Sequence, residues 1–184
     1  MAGKAAELTD AALLAGCAVD DPATLGALYD RYSKAVYQFI SRMAGASEAE
    51  IDDLVSATFM EACRSAANFR GDSSVTTWLY GIGINVVRHH IRSSVRRRAL
   101  VEAYQREPPA QSCQRPDDTA ESRELLRRLQ EAVGSLPLAL REPFVLCEME
   151  GMPGTEAAHL LGVRPGTLWR RLHEARNALR SALS

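Results

Sequence analysis

A chain of 184 residues, 46% apolar and 24% charged, has the make-up of a soluble globular protein of one medium or two small domains. Its formal net charge of -1 excludes a global excess of positive charge, so any affinity for nucleic acid must come from local segregation. The isolated cysteines Cys17, Cys63, Cys113 and Cys147 form no C-x-x-C pair, which argues against a zinc site or a disulfide framework. No signal peptide is visible and no apolar run is long enough to span a bilayer, so a cytoplasmic protein without membrane insertion is expected.

Helical spacing recurs along the chain, and almost nothing alternates with the period of a strand. A short helix is predicted from Thr9, with Leu13 and Leu14 on one face. Asp21-Pro22 reads as an N-cap followed by proline at the first helical position, opening a helix whose apolar stripe is Leu25, Leu28, Tyr29, Tyr32, Val36 and Phe39. Gly45 stops it. Ser47 and Glu50 form a capping box for the next helix, which buries Ile51, Leu54, Val55, Phe59 and Cys63. The polar stretch Phe69–Ser74 is a loop. A long helix follows from about Val75 to Val95, through Trp78, Leu79, Ile82 and Val86.

Residues 99–120 change character: Pro108-Pro109 and Arg115-Pro116-Asp117-Asp118 suit neither an amphipathic helix nor a buried strand. A flexible linker is expected there, and hence an all-α protein of two small helical domains. The expected division is a tail over 1–21, a first domain over 22–98, the linker over 99–120 and a second domain over 121–184. The second domain begins with a helix facing inward through Leu125, Leu126, Leu129 and Val133. Pro137 opens another, carrying Leu140, Phe144, Val145 and Met149 and stopping at Gly151.

Residues 154–176 carry the strongest local signal. Ala158 is small where two helices must cross, and Gly162, four residues on, suits a turn that needs positive φ. Leu168 and Leu172 anchor the helix after that turn. This is the grammar of a helix-turn-helix, whose second helix enters the major groove. Leu168, Leu172, Ala175 and Leu179 share its inward face; the opposite face gathers Gly166, Arg170, His173 and Asn177. Five arginines stand between Arg164 and Arg180 against the single acid Glu174. Arg170 and His173 are expected near base edges, Arg171 and Arg176 nearer phosphates. Trp169 is open between a contact with thymine methyls or sugar and simple packing.

Charge is segregated elsewhere too. Arg88, Arg92 and Arg96 form an i, i+4, i+8 stripe continued by Arg97 and Arg98, and no acid stands between Asp72 and Glu102. With Trp78, Tyr80 and Asn85, this supplies cations for a backbone and flat rings for unstacked bases. The opposite sign dominates between Arg42 and Arg64, where Glu48, Glu50, Asp52, Asp53 and Glu61 stand without a base. An acidic helix is not built for DNA and points to a protein partner with a basic surface. An acidic helix and two basic ones in one chain suggest a bridge between a protein and DNA.

Catalytic constellations are missing. His89 and His90 are adjacent and diverge on a helix, His159 and His173 lack partners at metal-ligand spacing, and Gly81 and Gly83 lie inside a helical pattern rather than a phosphate loop. No enzyme, cofactor or metal is expected. A free-standing transcription regulator is the rival reading; it accounts for residues 121–184 and leaves 48–98 unexplained.

The residues Asp53-Leu54-Val55, Thr58-Phe59, Phe69–Ser74, Thr77–Tyr80, Ile82 and Asn85 resemble the second conserved region of the extracytoplasmic-function (ECF) sigma factors, the smallest members of the sigma-70 family. Leu136-Pro137, Arg141-Glu142, Phe144, Leu146, Glu150-Gly151, Glu156–Ala158, Leu161-Gly162, Gly166-Thr167, Arg171-Leu172 and Ala175-Arg176 resemble the fourth. The resemblance implies a promoter-specificity factor whose partners are core RNA polymerase and promoter DNA. Asp52, Asp53, Ser56 and Glu61 would meet the clamp helices of the largest polymerase subunit. Phe69, Asp72, Ser73, Trp78, Tyr80, Asn85, Arg88 and Arg92 would melt and read the minus-ten element. Arg164, Thr167, Trp169, Arg170, Arg171, His173 and Arg176 would read the minus-thirty-five element, with the second domain seated on the flap of the other large subunit. Family members are often held inactive by an anti-sigma partner.

The chain departs from the family where Ser56 and Ala57 replace a usual glutamine and acid. Gly81 and Gly83 replace a usual basic residue and alanine, each costing roughly 1 kcal/mol of helix stability. In the recognition helix Leu168, Trp169 and Arg170 replace the common residues, so promoter preference cannot be borrowed from relatives.

Overall fold

The computed structural model describes residues 8–102 and 120–183, the side chains of 97–126 excepted. Every regular element among them is helical. Close contacts divide the chain into two compact units: the first takes residues up to Ile40 and resumes at Ala49, and the second takes Ser41–Glu48 and the C-terminal part.

In the first unit, α1 (Asp10–Cys17) is capped by the Thr9 hydroxyl, which accepts from the Ala12 amide at 3.3 Å. Leu13, Leu14 and Cys17 are buried, so α1 is part of the unit's core rather than of a separate tail. Arg31 ties it down by donating to the Asp10 carboxylate and the Leu8 carbonyl, both at 2.7 Å. Burial and a hydrogen bond with Asp10 push the Tyr32 phenol up to about 12. Helix α2 (Pro22–Ala44) starts as expected, with the Asp21 carboxylate accepting from the Ala23 amide at 3.1 Å.

Helix α3 (Glu48–Ser65) buries Ile51, Leu54, Val55, Thr58 and Phe59; Cys63 is only half-buried. Thr58 satisfies its hydroxyl by donating to the Leu54 carbonyl at 2.7 Å, which is how a polar side chain is kept in a core. A 3-10 turn (Ala66–Asn68) leads to the polar loop, and Ser74 caps α4 (Val75–Glu102) by accepting from the Thr77 amide at 3.0 Å.

The buried face of α4 differs from the expected one. Val75, Leu79, Tyr80, Ile84 and Val87 are buried, whereas Trp78, Ile82 and Val86 are half-exposed. The segment is apolar on nearly every side, so periodicity alone could not select the face. Gly83 explains part of the choice: a Cβ there would stand 3.0 Å from Ile40 Cδ1, so the glycine lets the α4 backbone approach α2 closely. The helix-propensity cost of this glycine is offset by packing. α4 also runs past Val95 into the expected linker, and residue 120 opens α5; the rest of that linker, 103–119, lies outside the described residues.

In the second unit, α5 (Ala120–Ser135) buries Val133, and Leu136 follows it into the core. The single helix expected from Pro137 is α6 (Leu138–Phe144) followed by a π-helical turn (Val145–Met149). Pro143 offers no N–H to an i→i−4 ladder, and the turn beyond it closes with a wider bond, Glu150 N–H to the Val145 carbonyl at 3.0 Å. Arg141 is buried and donates to the carbonyls of Gly134 and, at 2.9 Å, Leu136. Helix α7 (Gly154–Leu161) ends at Gly162, whose φ of 68° is the left-handed turn read from the sequence. The Val163 amide closes that turn on the Ala158 carbonyl at 3.0 Å. Helix α8 (Pro165–Leu183) then packs Leu168, Leu172, Ala175 and Leu179 inward.

Candidate partner-binding and nucleic-acid interfaces

The acidic face comes from the phase of α3. With Ile51, Leu54, Val55 and Thr58 turned inward, Asp52, Asp53, Ser56 and Glu61 must point out, and all four are exposed. Glu61 lies 3.5 Å from Arg64, an exposed i, i+3 pair that is worth little and easily exchanged for a partner's cation. The three carboxylates are exposed and, among the described residues, are not buried against the chain's own arginines.

An open groove runs between α3 and α4, lined by Leu54, Ala57, Met60, Ile82 and Val86 with Asp53 and Glu61 on one side and Asn85 and His89 on the other. Met60 is 48% exposed there, and the sequence reading passed over it. Its signal was an apolar residue on the outward, acidic side of α3. His90 reaches across to Glu50 at 3.7 Å. The groove brings Asp53 and Glu61 together with Trp78 and Asn85, two groups that the sequence reading had assigned to different partners. The two candidate surfaces of the first unit thus abut along α3 and α4.

The second face begins at the Phe69–Ser74 loop. Gly71 turns it with φ 76°, leaving Asp72 and Ser73 exposed. The Phe69 and Trp78 rings meet at 5.2 Å, inclined by 56°, and both are half-exposed, so loop and helix share one aromatic corner. Asn85 and Arg92 are exposed and Arg88 is half-exposed; Arg92 Nε donates back to the Arg88 carbonyl at 3.1 Å. Tyr80 requires a correction. It is buried, its ring stacked on Phe39 at 4.1 Å and within 13° of parallel, so it belongs to the core and offers no free face to a base. Arg96 is exposed as well, its Nε donating to the Arg92 carbonyl at 3.3 Å, and Arg97 and Arg98 lie outside the described side chains.

The third face is α8. Arg164, Trp169, Arg170, His173 and Arg176 are exposed, and Thr167 and Arg171 are half-exposed. Arg170 pairs with Glu174 at 2.5 Å, and Arg176 with Glu148 of the π turn at 2.5 Å. The His173 ring meets the Asn177 amide at 2.9 Å. Arg171 lies on the flank opposite Trp169 and Arg176, so the helix presents cations on both sides of its outward ridge. Trp169 is partly packed, its indole resting on Gly154, and 53% of the residue is exposed. Gly154 was not read from the sequence as part of this face. Nearby, burial, reinforced by Glu148, raises the Cys147 thiol above its ordinary value. Among the described residues no group of three or more His, Cys, Asp or Glu is placed to hold a metal ion, and no helix is long and apolar enough to cross a membrane.

Two family comparisons bear on these faces. Sigma-70 region 2 matches residues 28–97 and Sigma-70, region 4 matches residues 126–179. The chain is similar to the ECF RNA polymerase sigma-E factor of Haemophilus influenzae, 28% identical over 186 residues and covering 97% of each chain. It is 29% identical over 180 residues to that of Escherichia coli, covering 94% of this chain and 93% of the relative. Among solved structures, CnrH in complex with the cytosolic domain of CnrY is 28% identical with a TM-score of 0.64, covering 95% of this chain and 96% of the other. The sigma factor RpoE of Bartonella quintana, solved with the anti-sigma factor NepR, shares the fold at 23% identity and a TM-score of 0.70, covering 85% of this chain and 94% of the other.

Proposed function

The chain belongs to the sigma-70 family, in its ECF group, and on that premise we propose which of its faces meets core RNA polymerase and which meets promoter DNA. It is a sigma factor, a protein of transcription initiation that works with core polymerase at promoters. In the proposed division, Asp52, Asp53, Ser56 and Glu61 on α3 meet the clamp helices of the largest subunit. Phe69, Asp72, Ser73, Trp78, Asn85, Arg88 and Arg92 meet the minus-ten element. Arg164, Thr167, Trp169, Arg170, Arg171, His173 and Arg176 meet the minus-thirty-five element, while the second unit sits on the flap of the other large subunit.

The observation that carries the division is that opposite charges are exposed on separate helices, acids on α3 and arginines on α8, each helix anchored by its own apolar face. Like charges would repel a wrong partner at each surface, and opposite charges steer the right one. Neither surface has the makings of a bond-breaking site, and the chain acts by binding alone, in the cytoplasm, without cofactor. The boundaries proposed are a first domain over 22–98, to which α1 is added, a linker over 99–120 and a second domain over 121–184. An anti-sigma partner, common in the family, is part of the proposal. A free-standing regulator would need only the helix-turn-helix; the match of residues 28–97 to region 2 favours the sigma reading.

Run-off transcription tests the proposal. Purified chain added to core polymerase is expected to yield discrete transcripts from genomic promoter fragments, each starting at one position. Core polymerase with and without the chain giving identical products would reject it.

A further inference from the structure

The first residue of α7 and the second turn of α8 are fitted to one another. The Cζ2 and Cη2 edge of the Trp169 indole lies so close over Gly154 that a Cβ there would stand 2.6 and 2.7 Å from those atoms. Any side chain at 154 would displace the ring. The glycine thus leaves room for one edge of the indole to lie against the α7 backbone, while 53% of the residue remains exposed. Trp169 lies in the N-terminal half of α8, next to Arg170 and one helical turn before His173, both exposed.

What an indole can recognise there is limited. It carries no charge to seek a phosphate and has a single N–H donor and no acceptor. In the major groove the apolar feature of a base edge is the C5-methyl of thymine. A ring with one edge already packed on backbone has less freedom left to lose on contact than a fully solvated one, so burying that methyl can translate into discrimination. We propose that Trp169, seated on Gly154, reads the C5-methyl of one thymine in the promoter's upstream element. This rests on the reading of α8 as the helix that enters the major groove.

The experiment replaces each thymine of the upstream element by uracil, which removes only the methyl group. The duplex is first selected from a random pool by the full chain bound to core polymerase, and equilibrium binding is then measured at fixed salt. One replacement should weaken binding about four-fold, as expected for burying a single methyl group. The same replacement should have no effect on a complex made with Trp169→Ala. Gly154→Ala should blunt the discrimination by pushing the ring off its seat. Sequence-selective binding with no uracil effect, or an effect that persists in Trp169→Ala, overturns the proposal and leaves α8 as the reading helix. Unchanged discrimination in Gly154→Ala overturns the seating by glycine. Absence of any sequence-selective binding at the upstream element removes the reading of α8 and the proposal with it.

Discussion

Helices α3 and α8 are built alike and charged oppositely. Each is amphipathic, 18 and 19 residues long, with four or more side chains locked in a core. Outward, α3 shows Asp52, Asp53 and Glu61, and α8 shows Arg170 and Arg176, with Arg164 just before its first residue. Packing thus fixes which face is free, and on the proposed division the free face selects the partner. Self-pairing differs too. Arg170 is masked by Glu174 of the same helix and Arg176 by Glu148 of the π turn, while in α3 Glu61 meets Arg64 more loosely at 3.5 Å and Glu50 meets His90 at 3.7 Å. On the proposed division the basic face trades internal carboxylates for phosphates, an exchange of like with like that costs little at exposed positions.

The comparison breaks most severely at the buried faces. Ile51→Ala in α3 and Leu168→Ala in α8 should each cost about 2–5 kcal/mol, since both side chains are almost fully buried. Denaturant unfolding measures the loss, and binding by the affected helix should fall with it. Gly162→Ala should cost about 1–2 kcal/mol because a Cβ is forced into left-handed backbone; duplex binding should weaken while α3 is untouched. A finer probe is salt. Duplex affinity should decline as salt rises, and Arg171→Ala should reduce the slope by about one phosphate contact. The smallest effect belongs to Glu174→Gln, which releases Arg170 from an exposed pair. Stability should move by less than about 1 kcal/mol, with any change in duplex affinity upward.

Much of this was legible in the sequence. Gly162, Ala158 and the Leu168–Leu172 spacing specify the helix-turn-helix because a tight interhelical turn needs positive φ and a small residue at the crossing. The acids of α3 were placed correctly because a 3.6-residue period leaves them no inward direction. Tyr80 and the buried face of α4 were not legible. Val75–Val87 is apolar on nearly every side, and the fit of Gly83 under Ile40 and the Phe39–Tyr80 stack help decide which side turns in. The π turn after Pro143 and the seat of Trp169 on Gly154 are tertiary facts, and no local pattern announces them.

Two charge variants, each measured against both partners, test the division of labour most directly. Asp53→Arg should lose core polymerase binding by about 2 kcal/mol or more and keep the upstream-duplex affinity of the intact chain. Arg170→Ala should lose about 1–3 kcal/mol of duplex binding and keep its affinity for core polymerase. If either substitution weakens both interactions equally in a chain that remains folded, the two surfaces are not separate, and the account is contradicted.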